Sequence, residues 1–174
     1  IEKQVKHVVK QLGGRERFEK VTVVTDDSVT GFVHPWDEPD LDEFKAGLDR
    51  LTQEEIITQV LWAPKNEDDL HQLNERWYGM SVPINKAVNG QPVHTSLWSL
   101  EQSLSTYVLK IDVDIMIHRD WSIDPTDLLI DCLIEKEAVT ATLPILSESN
   151  SPPRILDGID WRTEVRFCII DRQK

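Results

Sequence analysis

Apolar residues recur at Val5, Val8, Val9 and Leu12, the spacing of one helical face, and Gly13-Gly14 closes the run as a helix stop. Val21-Thr22-Val23-Val24-Thr25 changes the pattern to a β-branched run that halts at Asp26-Asp27-Ser28, which predicts a strand feeding a loop. Gly31 to Leu41, with Pro35, Trp36, Pro39 and four acids, reads as an exposed insertion. Leu41, Phe44, Leu48 and Leu51 fit a short amphipathic helix, and Ile56 to Trp62 a second strand closed by Ala63-Pro64. Asn66 to Trp77 is polar and weakly helical, and Tyr78 to Asn89 is loop-like. Leu97, Leu100 and Leu104 predict a helix reaching Ser105-Thr106, and Tyr107 to Ile117 is the strongest strand signal in the chain. Pro125 suits the first turn of a helix through about Glu137, with Leu128, Leu129, Cys132 and Leu133 on its apolar side. Val139 to Leu146 predicts a strand, Ser147 to Pro153 a loop, and Val165 to Ile170 a last strand.

Helices and strands therefore alternate, with enough chain between strands for crossovers. That order predicts an α/β layer fold with a largely parallel sheet, built as one domain over residues 1–174. Ligands in such sheets collect at the carboxyl ends of strands. The acids after Val24 and those in Asp112-Val113-Asp114 both fall there.

The charge balance narrows the function classes. Nineteen basic and thirty-one acidic side chains give a net charge of −12, which repels phosphate backbones and anionic membranes. No nucleic-acid partner is expected; a small anionic substrate requires a metal ion or local basic groups. No apolar run has the ~18 to 20 residues of a membrane-spanning helix, so no transmembrane segment is expected. Ile1-Glu2-Lys3-Gln4 has neither a signal-like apolar stretch nor an initiator methionine, and a processed or partial chain in the cytoplasm is the expectation. Cys132 and Cys168 are expected as reduced, buried thiols.

Two carboxylates two apart at the end of an apolar strand, Asp112 and Asp114, offer hard oxygen ligands to Mg²⁺ or Mn²⁺. A metal held there bridges nucleotide phosphates and stabilises a departing diphosphate. The same stretch also reads as a half-exposed strand, with Tyr107, Leu109, Ile111, Val113, Ile115 and Ile117 on one face and Lys110, Asp112 and Asp114 on the other.

The order of segments adds to this. Val23-Val24-Thr25-Asp26-Asp27-Ser28-Val29-Thr30-Gly31 resembles the strand-to-loop signature, roughly V-V-D-D-G-S-T-D-G, of family-two-like glycosyltransferases with the GT-A fold. In that family a helix, a small turn and an apolar strand ending in Asp-x-Asp follow. Here that order is His94 to Ser103, Leu104-Ser105-Thr106, then Tyr107 to Asp114. The resemblance covers roughly Val21 to Ile117, with continuation to Leu146. It implies a three-layer α/β/α sandwich and a metal-dependent, hexosyltransferase-like enzyme. Such an enzyme moves a sugar from a nucleotide-diphospho-sugar donor to a glycan, lipid or small-molecule acceptor, with inversion.

Carried over by position, the resemblance makes Asp114 the direct metal ligand. Asp112 lies near the metal and the ribose or sugar, and Asp26 contacts the nucleoside. His94 stands where family members often have a basic residue facing the nucleotide; otherwise it is a surface histidine. Asp26 also reads as a turn-forming aspartate. Asp27 replaces the family's usual glycine. The family's first strand is missing before Ile1, as are the Gly-rich and Arg-Asn signature of the helix before the metal strand and a late histidine ligand. The chain is thus expected to lack its first strand and C-terminal part.

For the catalytic base, Asp160 and Glu164 are the candidates, with Trp161 stacking on a sugar ring. An inverting transfer needs one carboxylate within reach of the acceptor hydroxyl. A turn at Asp157-Gly158 and an exposed Arg162–Glu164 pair is the structural alternative. Of the six tryptophans some are expected in the core, with an aromatic lining the acceptor cleft as the sharper option. A nucleotidyltransferase on a related sheet and a non-catalytic binding module remain open beside the transferase.

Overall fold

The computed structural model describes residues 1–26, 40–84, 94–112, 115, 117, 124–142 and 167–174. The chain divides into two compact units, Ile1–Val9 with Gly13–Leu104, and Lys10–Leu12 with Ser105–Lys174. No described helix is long and apolar enough to cross a membrane. Helices and strands alternate in a mixed α/β arrangement, as the periodicities predict.

The first unit holds α1 (Glu2–Gln11), β1 (Thr22–Thr25), α2 (Leu41–Gln53), β2 (Gln59–Trp62), α3 (Glu67–Tyr78) and α4 (His94–Gln102). Gly13 and Gly14 end α1 at φ of 102° and 100°, a region L side chains rarely adopt, and Gly14 N donates to the Val9 carbonyl at 3.0 Å. β1 and β2 pair in parallel, with Val23 opposite Val60 and Thr25 opposite Trp62. The intervening α2 makes this a strand–helix–strand crossover.

Val5, Val9, Leu48, Leu51 and Ile57 form the core, with Val21, Val23, Val60 and Phe44 packed against it. α1 and α2 therefore cover the strand face that carries Val21 and Val23. Side chains alternate along a strand, so Val24 and Asp26 belong to the opposite face. α4 packs on β1, and α3 packs on α4.

Both α2 and α3 start on a side-chain cap. Asp40 Oδ1 accepts from the backbone N–H groups of Asp42 at 3.0 Å and Glu43 at 2.9 Å, and Asn66 Oδ1 accepts from Asp69 N at 2.8 Å. Gly79, at φ 65°, ends α3. The polar segment after Asn66 thus forms a full helix, because this cap and stop enclose Leu70 and Leu73, both buried.

The second unit holds β3 (Tyr107–Ile111), α5 (Pro125–Glu135), β4 (Thr140–Thr142) and β5 (Phe167–Asp171). β5 lies between β3 and β4 and runs antiparallel to both, with Leu109 and Ala141 opposite Ile169. β3 and β4 therefore point the same way, joined through α5, and β5 fills the gap between them. Of the three described pairings one is parallel and two are antiparallel. The expected parallel pairing is seen in β1–β2, while β5 enters the second sheet from the opposite direction. Leu129 and Leu133 of α5 are buried, as are Ala141, Phe167, Cys168 and Ile169.

Several local expectations are corrected. β3 stops at Ile111 rather than Ile117, and Ile115 N donates to the Asp112 carbonyl at 3.1 Å, a bond between residues three apart that an extended strand does not make. α4 stops at Gln102, and Leu104, beyond it, is 95% exposed. On α5 the buried positions are Thr126, Leu129 and Leu133, so Leu128 and Cys132 face solvent. Cys168 is buried as expected, and both thiols are free. Of the described tryptophans, Trp62 and Trp77 are exposed and Trp98 is half-buried. The insertion over residues 31–39, the loop over residues 147–153, Trp36, Trp121 and Trp161 lie outside the described residues.

Candidate functional site

β1 delivers Asp26 to its carboxyl end, where Ala63 N donates to the Thr25 carbonyl at 2.8 Å and carries the ladder one step beyond the strands. Asp26 follows on the face opposite the Val21–Val23 core. α4 begins at His94 and brings its imidazole Nε2 within 3.2 Å of Asp26 Oδ2. The His94 side chain is 3% exposed and that of Asp26 12%. A carboxylate only accepts, so Nε2 carries the proton of this contact. The carboxylate also stands at the first residue of α4, the helix end that favours negative charge. A carboxylate fixed in this way, at a strand's carboxyl end, suits acceptance of a hydroxyl or N–H from a bound ligand. The structure thus brings together Asp26 and His94, two residues far apart in sequence.

Asp112 stands directly after β3 in the second unit. Its Oδ1 lies 2.5 Å from Lys110 Nζ, and its side chain is 38% exposed. Residues two apart share a strand face, which explains why Lys110 meets Asp112. Lys110 is also opposite Cys168 in the β3–β5 register. Burial pushes the Cys168 thiol up; Lys110 acts against that rise and Asp112 adds to it. The second aspartate of the motif, Asp114, and the candidate bases Asp160 and Glu164 lie outside the described residues.

Asp112 is a hard oxygen donor of the kind a divalent cation takes, but its Oδ1 is engaged by the Lys110 ammonium, which competes with a metal for it. Among the described residues no group of three or more His, Cys, Asp or Glu side chains has metal-holding geometry.

Two features escaped the sequence reading. Arg76 of α3 grips Glu101 of α4 through Nε at 2.7 Å and Nη2 at 2.8 Å, and Trp77 Nε1 donates to the same carboxylate at 3.1 Å. Glu101 holds the Arg76 guanidinium above its ordinary range. Asn74, buried in α3, donates to the carbonyls of Val82 at 2.7 Å and Ile84 at 2.8 Å. Neither is readable from spacing, because each depends on how α3 packs. In the second unit an open depression of about 650 Å³ is lined by Tyr107, Ile134, Glu137, Val139, Asp171 and Lys174, none of them a sequence-predicted site residue. Comparison of the chain with protein-family models, curated proteins and solved structures gives no match.

Proposed function

We propose that the chain is a metal-dependent glycosyltransferase domain of the three-layer GT-A type, transferring a sugar with inversion from a nucleotide-diphospho-sugar to a hydroxyl acceptor. The observation that carries this reading is the Asp26–His94 contact at the carboxyl end of β1. The resemblance expects both residues at the nucleoside, and their contact in the first unit supports a shared role. Asp112, directly after β3, supports the metal motif in the same way.

In this reading Asp26 accepts hydrogen bonds from the nucleoside, and His94 holds its carboxylate in place. Asp112 and Asp114 would hold Mn²⁺ or Mg²⁺, which supplies charge neutralisation for the departing diphosphate. Holding the cation would require Asp112 to exchange its contact with the Lys110 ammonium for the metal. Asp160 or Glu164 takes the proton from the acceptor hydroxyl on the face opposite the leaving group.

Calorimetric titration of uridine and guanosine diphosphates, with and without Mn²⁺, tests this. Binding of one of the two is expected, strengthened by the metal. Asp114→Asn should abolish the metal-assisted part and Asp26→Asn should weaken binding about tenfold, the loss of one hydrogen bond to a charged group. Metal-assisted binding unchanged in Asp114→Asn, or no binding of either nucleotide, would sink the assignment.

A further inference from the structure

Trp77 occupies the last turn of α3 and is 43% exposed, yet it is not loosely held. Its indole N–H is bonded to Glu101 on α4, and the same carboxylate is clamped by both arms of Arg76. The chain beyond Gly79 is fastened to the same helix. Asn74 bonds the Val82 and Ile84 carbonyls, and His71 Nδ1 lies 3.2 Å from Ser81 Oγ. A large apolar ring is thus kept half in water on a frame that fixes its orientation.

We propose that Trp77 is a stacking platform for a pyranose ring of a neutral oligosaccharide. The choice of a sugar as acceptor rests on the transferase reading above; the platform itself rests on the Trp77 geometry. An aromatic face carries partial negative charge and attracts the polarised C–H groups of a sugar's flat side. Fixing the ring beforehand removes the ordering cost that a mobile side chain would add on binding. Arg76 and Glu101 neutralise each other, and Asp69 also acts on the Arg76 guanidinium, so the charge left over is negative and disfavours a polyanion against an uncharged ligand. Their remaining hydrogen-bonding capacity lies beside the ring, where sugar hydroxyls project.

A protein partner fits less well. Trp77, Tyr78, Met80 and Ile84, each about half exposed, offer roughly 400 Å² of surface, against about 800 Å² per partner in a stable interface. Position along α4 also connects the platform to the nucleoside end. Glu101 is seven residues from His94, about 10 Å along the helix at 1.5 Å per residue and on nearly the same stripe. A di- or trisaccharide spans that distance.

The test uses the whole chain labelled with 5-fluorotryptophan, observed by ¹⁹F NMR, with chitotriose, cellotetraose and maltotetraose as probes and no nucleotide or metal present. The Trp77 signal is identified by its loss in Trp77→Phe. At least one probe should shift that signal saturably while the Trp62 signal stays still. Trp77→Ala should lower the affinity, read by calorimetry, about tenfold, and Trp77→Phe about two- to threefold. If Trp77→Ala misfolds, the wild-type titration and Trp77→Phe decide. A Trp77 signal unmoved by all three probes, equal shifts at Trp77 and Trp62, or affinity unchanged in the folded variants overturns the platform. Sugar binding without nucleotide binding would keep the platform and remove the donor reading. Nucleotide binding without sugar binding would do the reverse.

Discussion

Asp26 and Asp112 each follow a strand directly, one after β1 and the other after β3, and each meets a nitrogen of a basic side chain. Their settings differ. Asp26 is nearly enclosed and its partner arrives from a separate helix, so the contact is part of how α4 packs on β1. Asp112 is more open, and its partner is two residues back on its own strand. The first contact is made between separate elements and the second within one stretch of chain. A group of the first kind positions a ligand; a group of the second kind can change partners at small cost. Those are the properties the proposed nucleoside contact and metal contact respectively require.

The comparison can be broken at several levels. The largest losses should come from the cores behind each carboxylate. Leu51→Ala in the first unit and Leu133→Ala in the second, both at fully buried positions, should each cost about 2–5 kcal/mol in denaturant unfolding. Hydrogen exchange should show the first variant loosening β1 and β2 most and the second loosening β5; equal loosening everywhere would dissolve the distinction between the two regions.

A smaller effect separates the carboxylates themselves. Asp26→Asn should destabilise the fold by about 1–3 kcal/mol, since it disturbs a buried polar contact. Asp112→Asn should stay below about 1 kcal/mol, as exposed pairs do. Matching losses by chemical denaturation would refute the contrast.

The smallest effect lies on the surface of the first unit. Lys6 bridges Glu2 at 2.7 Å and Glu54 at 2.6 Å, and Arg50 reaches Glu2 at 2.9 Å, tying α1 to α2. Lys6 and then Arg50 hold the Glu2 carboxyl below its ordinary range, and the two glutamates hold Lys6 above its own. The Glu2 contribution is therefore present above the ordinary glutamate range and lost as pH falls through its lowered value. That of Lys6 is present below the ordinary lysine range and lost as pH rises through its raised value. Glu2→Gln should lower Tm slightly at neutral pH, with the difference from wild type vanishing in acid. A difference that persists in acid would assign the effect to packing.

Much of the fold is legible in the sequence because local signals agree. Gly13-Gly14, the β-branched run before Asp26, the heptad-like leucines of α2 and Pro125 each mark an element the structure contains. What escapes depends on choices made between elements. α5 is apolar on more than one side, so periodicity alone offers Leu128–Cys132 and Leu129–Leu133 as equal faces, and only packing on β4 and β5 selects the second. Leu104 matches the helical spacing of Leu97 and Leu100, but α4 has already ended. In the candidate site, Asp26 and Asp112 are readable as acids at strand ends. The enclosure of His94 and the pinning of Trp77 are not, since both arise from how α4 meets other elements.

The place of β5 bears on how the chain is made. Synthesis delivers β3 and β4 well before Phe167–Asp171, the strand that both of them pair with. Until that strand leaves the ribosome, both expose unpaired backbone edges and the apolar residues meant for β5. Among the described strands, β3 and β4 pair only with β5, so these pairings must wait for a non-local partner, a slow event for topological reasons. Expression that is cut short before Phe167 would release a chain whose first unit can close while the second offers open strands to its neighbours, so truncated products should collect in aggregates.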